Sequence, residues 1–302
     1  MLASAIHFVA ILAVAGQTLG PGDHFRSLDV DSVQRTYWVH VPPAYDAKKP
    51  TPVVFFLHGL GMNGKMMRSF GVAQKADQAG FIAVCPDGIN FAGVVTVWNC
   101  GGMKIDDAVK PDDIGFFTGL LDELEATFNV DGKRVYVAGL SNGGMMAHRL
   151  GMELSDRIAA IATVAGTLAI ESCEPKRPVP ILLFHGTADP LVPFFGPPRD
   201  QLVEVLVFKS VGDTLDAWQR ADGCPPEPKV EPLPDKAQEG IKVVKKSFGP
   251  GRNGSEVVFY EIEGGGHTWP GVDVKLPFLG KTCMSISATD LIWEFFERHP
   301  MP

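Results

Sequence analysis

The sequence predicts an α/β fold in which a mostly parallel central sheet carries helices on both faces. Three observations predict it. Apolar runs such as Val53-Val54-Phe55-Phe56-Leu57 and Ile181-Leu182-Leu183-Phe184 are continuous rather than alternating, as strands buried on both faces require. These runs alternate with helical stretches, the pattern of parallel strands joined by crossover helices. Glycine-rich turns follow several of the runs, at the sheet edge where the ligands of open α/β sheets gather.

The elements follow in order. Phe25 to Val41 alternates and ends at Pro42-Pro43, which reads as one or two antiparallel edge strands. Val53 to Leu57 is the first buried strand, Lys65 to Gly80 a helix, and Phe81 to Pro86 the next parallel strand. Asn90 to Lys110 is irregular and contains Trp98, which reads either as a cleft wall or as a packed tryptophan. Asp112 to Phe128 is an amphipathic helix whose two leading aspartates suit capping and the helix dipole. Lys133 to Gly139, Ile158 to Gly166 and Pro180 to Gly186 are further strands, with a helix from about Asn142 to Glu153. Leu191 to Phe208, rich in Pro, Phe and Val, suits a cleft wall, and Asp213 to Ala221 is a helix. Asp222 to Gly254 is a Pro- and Lys-rich excursion with strand character at Ile241 to Phe248. It cannot bury a core of its own. Glu256 to Ile262 is the last strand and Ser287 to His299 the closing helix.

The bulk properties narrow the function. The 302 residues are 45% hydrophobic and 21% charged, a globular composition able to bury a large core. A net charge of −8 argues against nucleic acid or an anionic membrane as partner, since nothing neutralises phosphates. Residues 1–20 read as a secretory leader. Ala5 to Gly16 is almost wholly apolar and Ala13-Val14-Ala15 suits a cleavage site, although no Lys or Arg precedes the run. The expectation is export, to the medium or a periplasm, with residues 21–302 forming one α/β domain. The leader is too short for a comfortable transmembrane span and no second segment is long enough, so no stable membrane insertion is expected. Five cysteines fit an exported chain with one or two disulfides. None has zinc spacing with His, so no metal site is expected.

The chemistry concentrates at Gly139-Leu140-Ser141-Asn142-Gly143. A serine on a sharp strand-to-helix turn lifts its hydroxyl clear of the sheet, and the flanking positions must be small because a Cβ there would clash. The strand before and helix after are the context this motif needs. A serine hydroxyl is a weak nucleophile without an adjacent base. Asp189 lies just beyond a strand's C-terminal end, and His267 follows Gly264-Gly265-Gly266 after the last strand. Ser141 as nucleophile, His267 as general base and Asp189 as the group fixing the imidazole tautomer form a chain order of Ser, Asp, His. The main-chain N–H groups of Asn142 and of Leu60, in the glycine-rich loop after the first buried strand, suit the oxyanion of a tetrahedral intermediate. His58 suits a brace for that loop. Acyl transfer to serine and then to water requires no cofactor.

The combined motifs resemble the poly(3-hydroxybutyrate) depolymerase-like and feruloyl esterase family of α/β-hydrolases. They are His58-Gly59 with Asn63-Gly64, Pro86-Asp87-Gly88, Asp112-Asp113-Ile114-Gly115-Phe116, Gly139 to Met145, His185 to Asp189 with Val192-Pro193, and Gly264 to Gly271. The resemblance runs from about Gly22 to His299. It implies a secreted serine carboxylic-ester hydrolase acting on small esters, polyester oligomers or hydroxycinnamoyl esters of plant polysaccharide. It also implies that Trp269 borders the acyl or alcohol site. Without an appended binding domain or Ser/Thr-rich linker, soluble esters suit the chain better than crystalline polymer. A peptidase of the same fold would need an added domain to select peptides. An acyltransferase would use the same acyl-enzyme, and a non-catalytic module would have no need of all three groups.

Overall fold

The computed structural model describes residues 19–30, 32–91, 93, 95–104, 110–197 and 206–302. Most of the expected leader, and part of the expected cleft wall after Leu191, therefore fall outside the described residues.

Ten strands form one sheet: β1 (Gly22–Val30), β2 (Val33–Val41), β3 (Thr51–Leu57), β4 (Ile82–Pro86), β7 (Val130–Leu140), β8 (Ala160–Val164), β9 (Ile181–Gly186), β10 (Lys229–Leu233), β11 (Lys242–Phe248) and β12 (Val257–Glu263). Their spatial order is β1-β2-β4-β3-β7-β8-β9-β12-β11-β10. The six central strands, β4 to β12 in that order, run parallel. Antiparallel pairs extend either edge: β1 and β2 on one side, β11 and β10 on the other. The Pro- and Lys-rich excursion thus widens the sheet. Two short strands, β5 (Ile89–Phe91) and β6 (Val95–Val97), pair as a hairpin inside the segment expected to be irregular.

Period-2 alternation divides the central strands between two cores. Val53, Phe55 and Leu57 of β3, Val135 and Val137 of β7, and Ile181 and Leu183 of β9 face one side. There they pack against α3 (Asp113–Thr127), α4 (Asn142–Glu153) and α5 (Val211–Asp222). Val54 and Phe56, Tyr136 and Ala138, and Leu182 and Phe184 face the other. That side is covered by α1 (Gly64–Arg68), α2 (Val72–Ala79) and α6 (Ala288–Glu297). Both faces are apolar because both are covered. Each fully buried large side chain contributes about 1.5–3 kcal/mol to that arrangement.

Three expectations are corrected. The helix expected over 65–80 is two helices, broken where Gly71 adopts φ 77. The break lets Phe70 pack on Trp269 at 5.8 Å and accept a hydrogen bond from Thr289 Oγ1 at its carbonyl. Of the two aspartates opening α3, only Asp112 caps the helix, accepting from the Gly115 N–H at 2.9 Å. Asp113 is fully buried and paired with Arg35 at 2.7 Å. The parity of β2 carries the signal for this pair, since Arg35 shares its inward face with Tyr37, Val39 and Val41. Lastly, all five cysteines are free thiols. Cys85 and Cys100 lie in the two different cores, on opposite faces of the sheet, and burial pushes the Cys100 and Cys283 thiols up to about 11.

Candidate active site

The C-terminal ends of β7, β9 and β12 converge on one edge. At the first, Ser141 stands between β7 and α4 with φ 55 and ψ −121, a backbone costing on the order of 1–3 kcal/mol for a residue with a Cβ. Its neighbours show why only glycine fits. A Cβ on Gly139 would lie 2.2 Å from Gly143 O, and one on Gly143 would lie 2.4 Å from Leu57 O. The Ser141 N–H donates to Val164 O at 2.8 Å, tying the turn to β8. The α4 N-terminus, with no side-chain cap, points its unsatisfied N–H groups and its partial positive charge at this turn.

Asp189 is held on a tight turn after β9 and is buried. Its Oδ1 accepts the Leu191 and Val192 N–H groups, each at 2.8 Å. Its Oδ2 lies 2.8 Å from His267 Nδ1. The glycines before His267 let this loop press on the Asp189 turn. Ala188 N–H donates to Gly265 O at 3.0 Å, and a Cβ on Gly186 would lie 2.2 Å from that same oxygen. A Cβ on Gly266 would lie 2.1 Å from Leu279 O. With Nδ1 turned to a carboxylate, the tautomer with Nε2 free of a proton is favoured, which is the form able to accept one.

The structure therefore joins the candidate acid and base directly and brings the candidate nucleophile to the same rim. Among the described residues, no hydrogen bond links the Ser141 hydroxyl to the His267 imidazole. Such bonds are often long without substrate and tighten in the Michaelis complex. The candidate oxyanion donors lie beside the serine. A Cβ on Gly59 would come within 3.4 Å of Ser141 Cβ, so the loop carrying Leu60 sits against the turn. Among the described residues, neither the Leu60 nor the Asn142 main-chain N–H has a protein acceptor.

His58 braces this loop as expected. Its Nε2 accepts the Gly88 N–H at 2.9 Å, which leaves Nδ1 to donate to Gly59 O at 2.8 Å. Burial holds its pKa below the ordinary imidazole value. Trp98 is a packed tryptophan, fully buried. Trp269 is not at the site opening. Its ring is fully buried in the core beneath α6, with Nε1 donating to Thr289 Oγ1 at 3.0 Å, and no face is left for an acyl or alcohol group. Trp269, two residues past His267, is carried into the core by the turn that starts at Gly266, where the Thr268 N–H donates to Gly266 O at 3.1 Å.

The sequence reading placed His185 ahead of the Asp189 turn but gave it no role of its own. It lies on β9, buried, with Nε2 donating to Val192 O at 2.8 Å and 3.5 Å from Asp189 Oδ2. Its spacing of four from Asp189 across a turn was the available signal. Exposed apolar side chains also border the site loops: Leu60, Leu191 and Phe195, the last 89% exposed. Among the described residues, no cluster could hold a metal ion, and no helix is long and apolar enough to cross a membrane.

A central parallel sheet with a serine on the turn between a strand and a covering helix defines an α/β-hydrolase. Comparison with known proteins agrees. A family model described as phospholipase/carboxylesterase matches residues 106–206. A putative esterase from Nocardia uniformis subsp. tsuyamanensis is 32% identical over 291 residues, spanning 89% of this chain and 81% of that protein. Feruloyl esterase B from Piromyces equi is 31% identical over 76% of this chain but 42% of its own length. Among solved structures, an acetyl xylan esterase from Aspergillus awamori superposes with a TM-score of 0.61 at 15% identity, covering 91% of this chain and 99% of that one. The chain belongs to the feruloyl esterase-related family of α/β-hydrolase esterases, and its class is carboxylic-ester hydrolase.

Proposed function

We propose that the protein hydrolyses carboxylic esters through an acyl-enzyme on Ser141, with His267 as general base and then general acid. Asp189 orients the imidazole and stabilises its protonated form without taking the proton. The Leu60 and Asn142 N–H groups hold the oxyanion, each worth roughly 3–4 kcal/mol of transition-state stabilisation. The observation carrying this reading is the 2.8 Å contact of Asp189 with His267 Nδ1 at the rim where Ser141 stands on its strained turn.

The substrate is an ester with an apolar acyl or aryl group. The exposed Leu60, Leu191 and Phe195 around the site support this, as does the relationship to enzymes named feruloyl and acetylxylan esterases. Hydroxycinnamoyl esters of plant polysaccharide fit best, with polyester oligomers as the second class. The apolar stretch within residues 1–20 supports export, and residues 21–302 serve as one catalytic domain.

The test is labelling by a fluorophosphonate together with hydrolysis of methyl ferulate, p-nitrophenyl butyrate and 3-hydroxybutyrate oligomers. Ser141→Ala is expected to lose both labelling and turnover. Retained labelling, or appreciable residual hydrolysis, overturns the assignment.

A further inference from the structure

The two oxyanion donors belong to different elements, the loop after β3 and the first residue of α4, and their separation decides how well they fit a tetrahedral oxygen. One residue is bonded to both elements. The Trp98 N–H donates to Asn142 Oδ1 at 2.8 Å, and Asn142 Nδ2 donates to Trp98 O at 3.1 Å. The Trp98 indole Nε1–H donates to His58 O at 3.0 Å, two residues before Leu60, and its ring packs on the His58 imidazole at 5.0 Å.

Trp98 is itself fastened from behind. Asp113 Oδ2 accepts the Asn99 N–H at 2.7 Å, while its Oδ1 takes the Arg35 guanidinium. Arg149 donates to Asn99 O at 2.7 Å, and Asn99 Nδ2 donates to Pro111 O at 3.0 Å. The Arg35 guanidinium lies 4.1 Å from the centre of the Phe116 ring. A buried ion pair is a poor means of stabilising a core, because desolvation offsets most of its attraction. It is a good means of fixing one geometry.

We propose that Trp98, anchored through Asn99 by the Arg35–Asp113 pair, is a positioning residue that sets the separation of the Leu60 and Asn142 N–H groups. This inference rests on the proposed roles of Ser141, Leu60 and Asn142. Trp98 touches no substrate. It acts by tying the His58–Leu60 loop and the Asn142 amide to one rigid plane. Substrate binding that does not use the oxyanion donors is indifferent to it, whereas the tetrahedral state is not.

Two changes sever the clamp while keeping the donors. Replacing Trp98 with 3-benzothienylalanine deletes only the indole N–H, and Asn142→Ala removes the side-chain amide but keeps the main-chain N–H. Each is compared with the parent for kcat and KM on p-nitrophenyl butyrate, inhibition by a trifluoromethyl ketone that forms a tetrahedral adduct, and melting temperature. Removing a whole donor typically costs 100- to 1000-fold, so misplacing one is expected to lower kcat by about 10-fold or more. KM should stay within about twofold, and the inhibition constant should rise in step with the loss in kcat. A folded variant with parental kcat, a loss confined to KM, or unchanged inhibition despite a lower kcat each overturns the clamp. Ser141→Ala run alongside separates the two levels: activity surviving there refutes the site, not the clamp.

Discussion

Asp189→Asn is the sharpest perturbation of the site, because the surrounding hydrogen bonds dictate which way the new amide must face. Asp189 Oδ1 accepts two main-chain N–H groups, from Leu191 and Val192, at 2.8 Å each. An amide NH2 at that position would oppose two donors, leaving three buried polar groups unpaired at roughly 1–3 kcal/mol apiece. The amide oxygen therefore takes the Oδ1 place, and the NH2 takes the Oδ2 place, 2.8 Å from His267 Nδ1. An N–H donor there requires Nδ1 to accept, so the ring proton moves to Nε2, the nitrogen that receives the serine proton in the proposed mechanism. The fold is preserved and the proposed base is disabled. A triad locked in the wrong tautomer loses about 10⁴ in kcat, or ~5 kcal/mol of transition-state stabilisation. Steady-state kinetics on p-nitrophenyl butyrate measure the loss, and ¹⁵N NMR of the imidazole locates the proton. A folded Asp189→Asn protein keeping more than a tenth of the parental kcat, or an imidazole still protonated at Nδ1, refutes the reasoning.

Three further outcomes are expected. Gly143→Ala should be destabilised by at least about 3 kcal/mol, because its Cβ would meet Leu57 O and His58 O at 2.4 and 2.5 Å; an unchanged urea midpoint would count against the elbow geometry. Trp269→Phe should cost about 1–2 kcal/mol of stability through the lost bond to Thr289 yet leave KM for every tested ester unchanged, and a selective rise in KM would return this residue to the substrate site. His148 should destabilise the protein in acid. Trp218 Nε1–H donates to its Nδ1 at 2.9 Å, and burial pushes its pKa down to about 3 from 6.5. Below pH 6.5 the unfolded chain binds a proton that the folded chain refuses. The His148 contribution is therefore complete above that value and falls by up to about 1.4 kcal/mol per pH unit towards pH 3. Asp222, its carboxyl pushed up to about 7 by burial, has the opposite slope over part of this range. The effect is therefore read from chemical denaturation as the difference between parent and His148→Gln. A difference that stays constant between pH 7 and 4 would refute it.

Much of the fold was legible because local chemistry and long-range order coincide in the central strands. A run such as Val53 to Leu57 announces burial on both faces, and Gly139-x-Ser141-x-Gly143 announces a turn that only small residues permit. The helix over 142–153 and the strand ending at Gly186 fall where the sequence places them, and β7 runs one residue past its expected end at Gly139. The break at Gly71 was less legible, because a lone glycine inside a helical pattern is tolerated, and the contacts that accompany the break are to Trp269 and Thr289, some 200 residues away in the chain.

What the sequence determined by itself was the set of candidate reactive side chains and their order along the chain, since each lies within four residues of the end of a strand and in a glycine-rich turn. What only the tertiary structure decided was which groups face one another. Asp113 reads locally as a cap and becomes the buried partner of Arg35; Trp269 reads as a site residue and becomes core; Trp98 joins a loop and a helix that are more than 80 residues apart in sequence. Backbone propensities act over a few residues and can be read from the chain. The pairing of buried polar groups is settled by which surfaces the finished sheet and its helices bring together, because an unpaired one is too costly to leave.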